Sequence, residues 1–507
     1  MFSIPAPLPD DPAALQLILR AAVAEIERLT LLIAGLQRHR FGRRSERLEA
    51  DQLDQGIDDL TQSLAEQQAG LEAAAPSPIP EPRKQPRRNR GALPAHLPRV
   101  EVTIEPDQTA CSCCGGTLHV IGEDRAEILD YVPSQLRVRL IRRPRLGCRA
   151  CEGTVVQAPA PERPIDGGMA TEALVAHVVI SKYCDHTPLY RQSQILARQG
   201  ITLDRSTLCD WVGRACWWLT PLYELMLSTV LASPVLFADD TTLPVLDPGR
   251  GRTKTGRLWC YAVDPRPWKG PGHPAAAYVY SETREAKHPE AHLKDFRGLL
   301  QTDGYSGFNR AAAVMTHALC WAHARRKFHD ILAAAKTPVP LAEEALRRIA
   351  ELYEIEATLT GRPPDERLAV RQHRSRLLTE EIHSWMTDRL DRVSGASNIA
   401  KAFRYVLSHW GGLTVFLRDG RAALDTNVVE RQMRPVALGR KNALFAGSDS
   451  GGRHWAIVST LIQTAKLNGI EPEAWLTNVL ERIVSGQTKR HQLETLLPWN
   501  WKPPGPA

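Results

Sequence analysis

Asp239 closes an apolar run, VLFAD, and Asp303 closes another, LLQTD, with Gly304 behind it; Glu430 lies in NVVERQMR, a stretch of helical pattern. An acid at the end of a buried strand stands at the open edge of a sheet, where ligands of α/β folds bind. Three carboxylates meeting there could hold divalent ions, because Mg2+ is a hard cation that prefers charged oxygen. Two such ions about 3.5–4 Å apart can activate an attacking oxygen and stabilise a leaving one. Spacing alone does not single these acids out. Asp240 competes with Asp239 and Asp425 with Glu430, and a lone aspartate at a strand end also serves as a turn or helix cap.

Sulfur offers a second chemistry. Cys111-x-x-Cys114 and Cys148-x-x-Cys151 are two close pairs flanking a strand-patterned insert, the spacing with which four ligands surround structural zinc. Cys113 and His119 are alternatives inside the first knuckle. Four protein ligands leave no open position, so this zinc would hold structure rather than substrate. A further pair, Cys320-x-x-His323, falls between the second and third acids. It reads as half a metal site or as strand-end packing.

These residues need elements to position them. VLFADDTTLPVL, RLWCYAVD and AAAYVYSE predict three strands with a turn at TKTG, then a polar helix in REAKHPEAHLKDFRG. LLQTD and THALCWA predict two more strands, the last leading into a helix, and 333–421 is helical in pattern throughout. Strand-Asp, hairpin, helix, strand-Asp, then a helix bearing an acid is the order of a ribonuclease-H-like sheet.

Upstream, LYRQSQILARQGITLDRSTLCDWVGRAC predicts a helix-turn-helix. Gly200 would be the left-handed C-cap of its first helix, and Asp204 or Ser206 the N-cap of its second. Leu189, Ile195, Leu196, Ile201, Leu203, Leu208, Trp211 and Val212 would close its small core. In such a motif the second helix enters the major groove. Arg205 and Thr207 are the candidate base contacts, Arg191 and Arg214 the candidate phosphate contacts. Nearer the N-terminus, Leu15, Leu19, Ala22, Ile26, Leu29, Ile33 and Leu36 alternate spacings of four and three, a coiled-coil seam suited to self-association.

The whole chain of 507 residues, 24% charged and 43% hydrophobic, has the composition of folded, multidomain material rather than a disordered or collagenous chain. Its net charge of +7 is too small by itself to prove a polyanionic partner. Its distribution says more: Arg325, Arg326 and Lys327 flank His323, and Arg431, Arg434, Arg440 and Lys441 follow Glu430. Such a basic rim suits a phosphodiester substrate. MFSIPAPLPDD has no secretory pattern, and the longest apolar stretch, between Glu224 and Asp239, is broken by Pro234 and shorter than the ~20 residues a membrane helix needs. No membrane association is expected. The ten cysteines do not read as a secreted framework in a chain this long, and the paired ones point to metal in a reducing compartment.

In order along the chain, RFGRRSERL, CSCCGGTLHVIGEDRAEILDYVP, ADDTTLPVL, TGRLWCYAVD, LQTDGYSGF, CWAHARRKF and NVVERQMRPVALGRKNALFAGSDSGG resemble the insertion sequence 66 family of transposases, DDE-type enzymes of bacterial mobile elements. The resemblance implies Asp239, Asp303 and Glu430 as the catalytic triad, with Asp240 where the family usually has Glu. It favours Cys111 and Cys114 over Cys113 as zinc ligands and casts Cys320 and His323 in a supporting role.

The implied architecture is multidomain α/β: a coiled coil with a basic end (1–50), a disordered linker (51–95), a zinc-binding β domain (96–162) and a helix-turn-helix (165–222). A ribonuclease-H-like core (230–332 and 422–465), interrupted by a helical insertion (333–421), and a tail (466–507) packed through Trp499 and Trp501 complete it. The implied activity is cleavage at element ends and joining of the freed 3′-hydroxyls to target DNA, with Mg2+ or Mn2+ at the triad and structural Zn2+. The implied partners are terminal inverted repeats, target DNA, a second copy and accessory proteins of the same element, in the bacterial cytoplasm at the nucleoid. A non-catalytic repressor or decayed copy and a structure-selective nuclease are the rival readings.

Overall fold

A computed structural model describes residues 66, 70, 136–147, 155–247, 249–335 and 337–503. The chain divides into two compact units. In the smaller, β1 (Arg145–Gly147) pairs antiparallel with β2 (Val155–Gln157), Leu146 opposite Val156. Gln157 Nε2 closes the ribbon by donating to Arg143 O at 2.8 Å. Cys148 and Cys151 fall in the connection between these strands; they, Cys111 and Cys114 lie outside the described residues, as does the coil of 13–37.

From residue 158 the larger unit runs through α1 (Glu172–Tyr183), α2 (Leu189–Arg198) and α3 (Arg205–Leu231). Thr171 caps α1 by accepting from Leu174 N at 3.3 Å, and Gly200, at φ +80, turns the chain out of α2. Leu189, Leu196, Leu203, Leu208, Trp211 and Val212 are buried as the pattern requires. Ile195 and Ile201, expected in that core, are instead 38% and 39% exposed: Ile195 lies on the outward edge of amphipathic α2, and Ile201 in the connection beyond it. The second helix also runs far beyond a recognition helix, reaching Leu231 and the sheet, where Tyr223 donates to Tyr278 O at 2.9 Å.

The sheet comprises β3 (Val235–Leu246), β4 (Thr253–Val263), β5 (Ala275–Ser281), β6 (Leu299–Thr302) and β7 (Thr316–Leu319), in the order β5-β4-β3-β6-β7. β4 is antiparallel to β3 and β5, while β6 runs parallel to β3 and β7 parallel to β6. TKTG proves to be strand: Thr253 pairs with Leu246 and Gly256 with Leu243. The turn comes before it, where Gly249 and Gly251 (φ +100 and +71) take the left-handed positions a non-glycine resists.

Strand alternation sorts the side chains into two cores. Leu236, Ala238, Trp259, Tyr261 and Leu300 face one side, under α4 (Lys287–His292), α5 (Asn309–Ala312), Leu293 and Phe308. Val235, Phe237, Cys260, Tyr278 and Leu299 face the other. α6 (Trp321–Ala334) follows β7 and leads into the helical segment: α7 (Pro340–Ala357), α8 (Pro364–Val370), a π turn at Arg371–Ser375, α9 (Arg376–Leu390), α10 (Asn398–Ser408) and α11 (Trp410–Leu413). Arg371, fully buried in that turn, is held by Glu356 at 2.7 Å through both carboxylate oxygens and by carbonyls of Phe416 and Ala422.

α12 (Asn427–Ala443) and α13 (Asp449–Leu467) return to the sheet. β5 is an edge strand, and α13 covers it. Thr460 Oγ1 accepts from Tyr278 N at 2.9 Å and Thr464 Oγ1 from Ala276 N at 3.1 Å, satisfying donors that would otherwise face no partner. The last segment is more than a tail. α14 (Pro472–Val484) and a 3-10 turn (Arg490–Leu496) pack against α1 and α3, Trp475 is buried, and Trp501 Nε1 donates to Asn478 at 3.0 Å. Trp499 stacks on His273 at 5.3 Å. Within 51–95, expected as linker, Glu66 and Gly70 are helical; Glu66 bonds His454 Nε2 at 2.5 Å and Gly70 lies against Trp217.

Candidate active site

The parallel register pairs Val235 with Leu299 and Phe237 with Gln301. Two residues further along each strand are Asp239 and Asp303, so register brings the two acids side by side. Asp239 pairs with Cys260 and therefore faces the core side covered by α12. α12 presents Glu430 from its first turn. Asp239 lies within the influence of both other acids. Burial pushes the Asp239 carboxyl up to about 7, the Asp303 charge adds to this, and Asp240 and Glu430 contribute further, against a 2.7 Å bond from Asp240 N. A carboxylate so crowded by like charge is the electrostatic condition a divalent cation relieves; three oxygen donors suit a hard ion.

Several bonds hold the acids in place. Asp303 accepts from Tyr305 N at 2.8 Å around Gly304, at φ +92. Thr426 donates its hydroxyl to Glu430 Oε1 at 3.1 Å, and its own N–H donates to Cys320 Sγ at 3.3 Å. His323 Nδ1 is 3.7 Å and Arg326 4.0 Å from Glu430. Cys320, His323 and Glu430 thus form a cluster whose ligand atoms lie within 4.8 Å of one another. Burial pushes the Cys320 thiol up, opposed by the bonds from Thr426 and the His323 backbone. Behind β6, Gln301 clasps the Ala423 backbone in both directions, at 2.7 and 3.0 Å, fixing the segment that leads into α12.

Asp240 points to the opposite face from Asp239, opposite Trp259. Its side chain is 1% exposed and clamped by Arg257 (2.9 Å) and Arg284 (2.8 Å). Arg284 also stacks over Tyr305, 3.6 Å from its centroid, and so braces the turn after Asp303. Asp240 therefore touches the acidic site through its backbone N–H and its nearby charge, while its side chain anchors the structure around that site.

Among the expected DNA contacts, Arg325, Arg326, Lys327, Arg431, Arg434 and Lys441 are exposed. Arg440 is not free: its guanidinium bonds the Thr242 backbone and hydroxyl, tying α12 to β3. Arg214 is also withdrawn, 7% exposed and paired with Asp210 at 3.1 Å, because position 214 falls on the buried face of α3. Arg191 is exposed, while Arg205 and Thr207 are half-buried on the first turn of α3. Thr426, Gln301 and Tyr405, whose hydroxyl lies 3.5 Å from Asp303 O, were not singled out from sequence. A Thr four residues before a helical Glu is a legible signal for the first; the other two depend on chain segments remote in sequence.

Fold and site together define an α/β protein with a half-buried acidic centre bordered by exposed cations. Residues 167–454 match the family described as Transposase IS66 family, 460–499 the IS66 C-terminal element, 108–152 the zinc-finger binding domain of transposase IS66, and 28–102 the Transposase C of IS166 homeodomain. The chain is 51% identical over 423 residues to uncharacterized protein y4jD of Sinorhizobium fredii, covering 82% of each. It is 40% identical over 504 residues to uncharacterized protein y4qI of the same organism, covering 97% of this chain and 92% of that one. The chain belongs to the IS66 family of transposases. That membership supports a transposase role, DNA as the partner and structural zinc in the finger segment. No helix among the described residues is long and apolar enough to cross a membrane.

Proposed function

We propose that this transposase cleaves DNA at the ends of its element and joins the 3′-hydroxyls to target DNA, with Asp239, Asp303 and Glu430 as the catalytic acids. The convergence of these acids on one face, with the Asp239 carboxyl pushed up to about 7, carries the reading. The strand order β5-β4-β3-β6-β7, with only β4 reversed among the inner strands, supports a ribonuclease-H-like core. Mg2+ or Mn2+ held by the three acids would supply Lewis-acid polarisation of the scissile phosphate. The chain's own residues do the rest. Arg325, Arg326, Lys327, Arg431 and Arg434 attract the DNA backbone to the site's border. Thr426 and His323 orient Glu430, and Cys320 holds the first turn of α12 against that of α6. These contacts support positioning roles for Cys320 and His323. Zinc at Cys111, Cys114, Cys148 and Cys151 would stiffen the finger, while the coil would pair two copies so that two ends meet.

Purified protein incubated with end-containing DNA and Mg2+ tests the reading. Cleaved ends and strand-transfer products are expected, and both should disappear in Asp239→Asn and Glu430→Gln. Binding without cleavage by the wild type would favour the repressor, and cleavage without joining the nuclease.

A further inference from the structure

A groove of about 550 Å³ lies between α6 and α10, beside the acidic site. Ile331 and Ala334 form part of an apolar floor, Lys327, Asn398 and Lys401 stand along it, and Tyr405 closes one end. Tyr405 joins the groove to the site: its hydroxyl lies 3.5 Å from Asp303 O, and its ring sits under the Lys327 ammonium at 4.9 Å. The opposite end is the first turn of α10, capped by Ser397, with Asn398 and Lys401 exposed there. Seven residues at about 1.5 Å each put the two ends about 10 Å apart, the reach of one or two nucleotides.

We infer that this groove takes one or two unpaired nucleotides of the DNA strand leaving the acidic site. The inference rests on the catalytic reading above and names the part of the substrate that the helical segment holds. A duplex is too wide for a slot between two helices, but a single strand presents what the slot matches. Its bases have apolar faces for the Ile331 and Ala334 surface, with the Tyr405 edge at one end, and its phosphates suit the two lysines and the helix N-terminus. Asp330 also lines the groove, an anion beside His329 (3.8 Å), so the match is to a strand with its phosphates toward the lysines rather than to any polyanion. A cavity of this size lies within the usual range of small-ligand sites, about 300–1,000 Å³.

The test compares two labelled DNA probes by fluorescence anisotropy, in Asp239→Asn protein without divalent ions so that nothing is cut. One probe is a blunt 30-base-pair duplex, and the other has three unpaired thymidines at one end. About tenfold tighter binding of the frayed probe is expected, the scale of one stacked base. Ala334→Trp fills the groove from an exposed position and should abolish the preference while leaving blunt-duplex affinity intact. Lys401→Glu at the rim should reduce the preference without touching the floor, guarding against misfolding of the first variant. Equal binding of both probes, or a preference that survives both substitutions, would overturn the inference. Because no cleavage is measured, a preference for frayed DNA in a protein that never cuts would refute the catalytic reading alone.

Discussion

Asp239→Asn should make the metal-free protein more stable, although it removes a candidate catalytic group. In the folded chain burial and the neighbouring Asp303 raise this carboxyl from 3.8 to about 7. A folded value above the unfolded one means the protonated acid is the form the fold accommodates. Its favourable contribution is complete below about pH 4 and is lost as pH rises through 7. At about 1.4 kcal/mol per pH unit, the gap amounts to roughly 4 kcal/mol at pH 8, before screening reduces it. Asparagine keeps the shape and an acceptor for the Asp240 N–H, and it removes the charge. Thermal unfolding at pH 8 without Mg2+ should therefore show the variant melting higher by on the order of 5 °C, with the difference vanishing near pH 4. Adding Mg2+ at about a hundred times its dissociation constant should return about 2.7 kcal/mol to the wild type and nothing comparable to the variant. Equal melting of the two proteins at pH 8, with no wild-type response to Mg2+, would refute both the crowding of the acids and their service as a cation site.

The same carboxyl must lose its proton to bind a cation, so apparent Mg2+ affinity measured by calorimetry should be about tenfold weaker at pH 6 than at pH 8. Thr426→Ala frees Glu430 and should lower Mg2+-dependent cleavage about 10–100-fold while DNA affinity, read by anisotropy, is unchanged. Arg326→Ala and Lys327→Ala should each lower the slope of log affinity against log salt by about one, whereas Arg214→Ala should leave that slope alone and lower the melting temperature. Thr460→Val leaves the Tyr278 N–H on edge strand β5 without its partner; denaturant unfolding should register a loss of about 1–2 kcal/mol.

Much of this protein is readable along the chain because the signals are local. Alternating apolar residues mark β3, β4 and β5, Gly200 marks the end of α2, and the ordered motifs mark the family. Asp239, Asp303 and Glu430 were reachable too, but as three acids among several. What separates Asp239 from Asp240 is a single step along a strand, which reverses the side chain's face. One lies on the face of α12 with the other acids, and the other enters a two-arginine clamp. A basic residue likewise carries no mark of its direction: Arg431 is exposed, Arg214 is sealed in α3, and Arg440 is spent on Thr242.

Residue types and their order determined the chemistry on offer here, carboxylates, thiols and a basic border, because charge and ligand preference belong to the side chain itself. Only the tertiary structure decided which of them share a space. The register of β3 against β6, the return of α12 after a long helical segment, and the approach of Tyr405 to Asp303 are long-range contacts. They are set by how whole faces pack, and no window of sequence contains both partners.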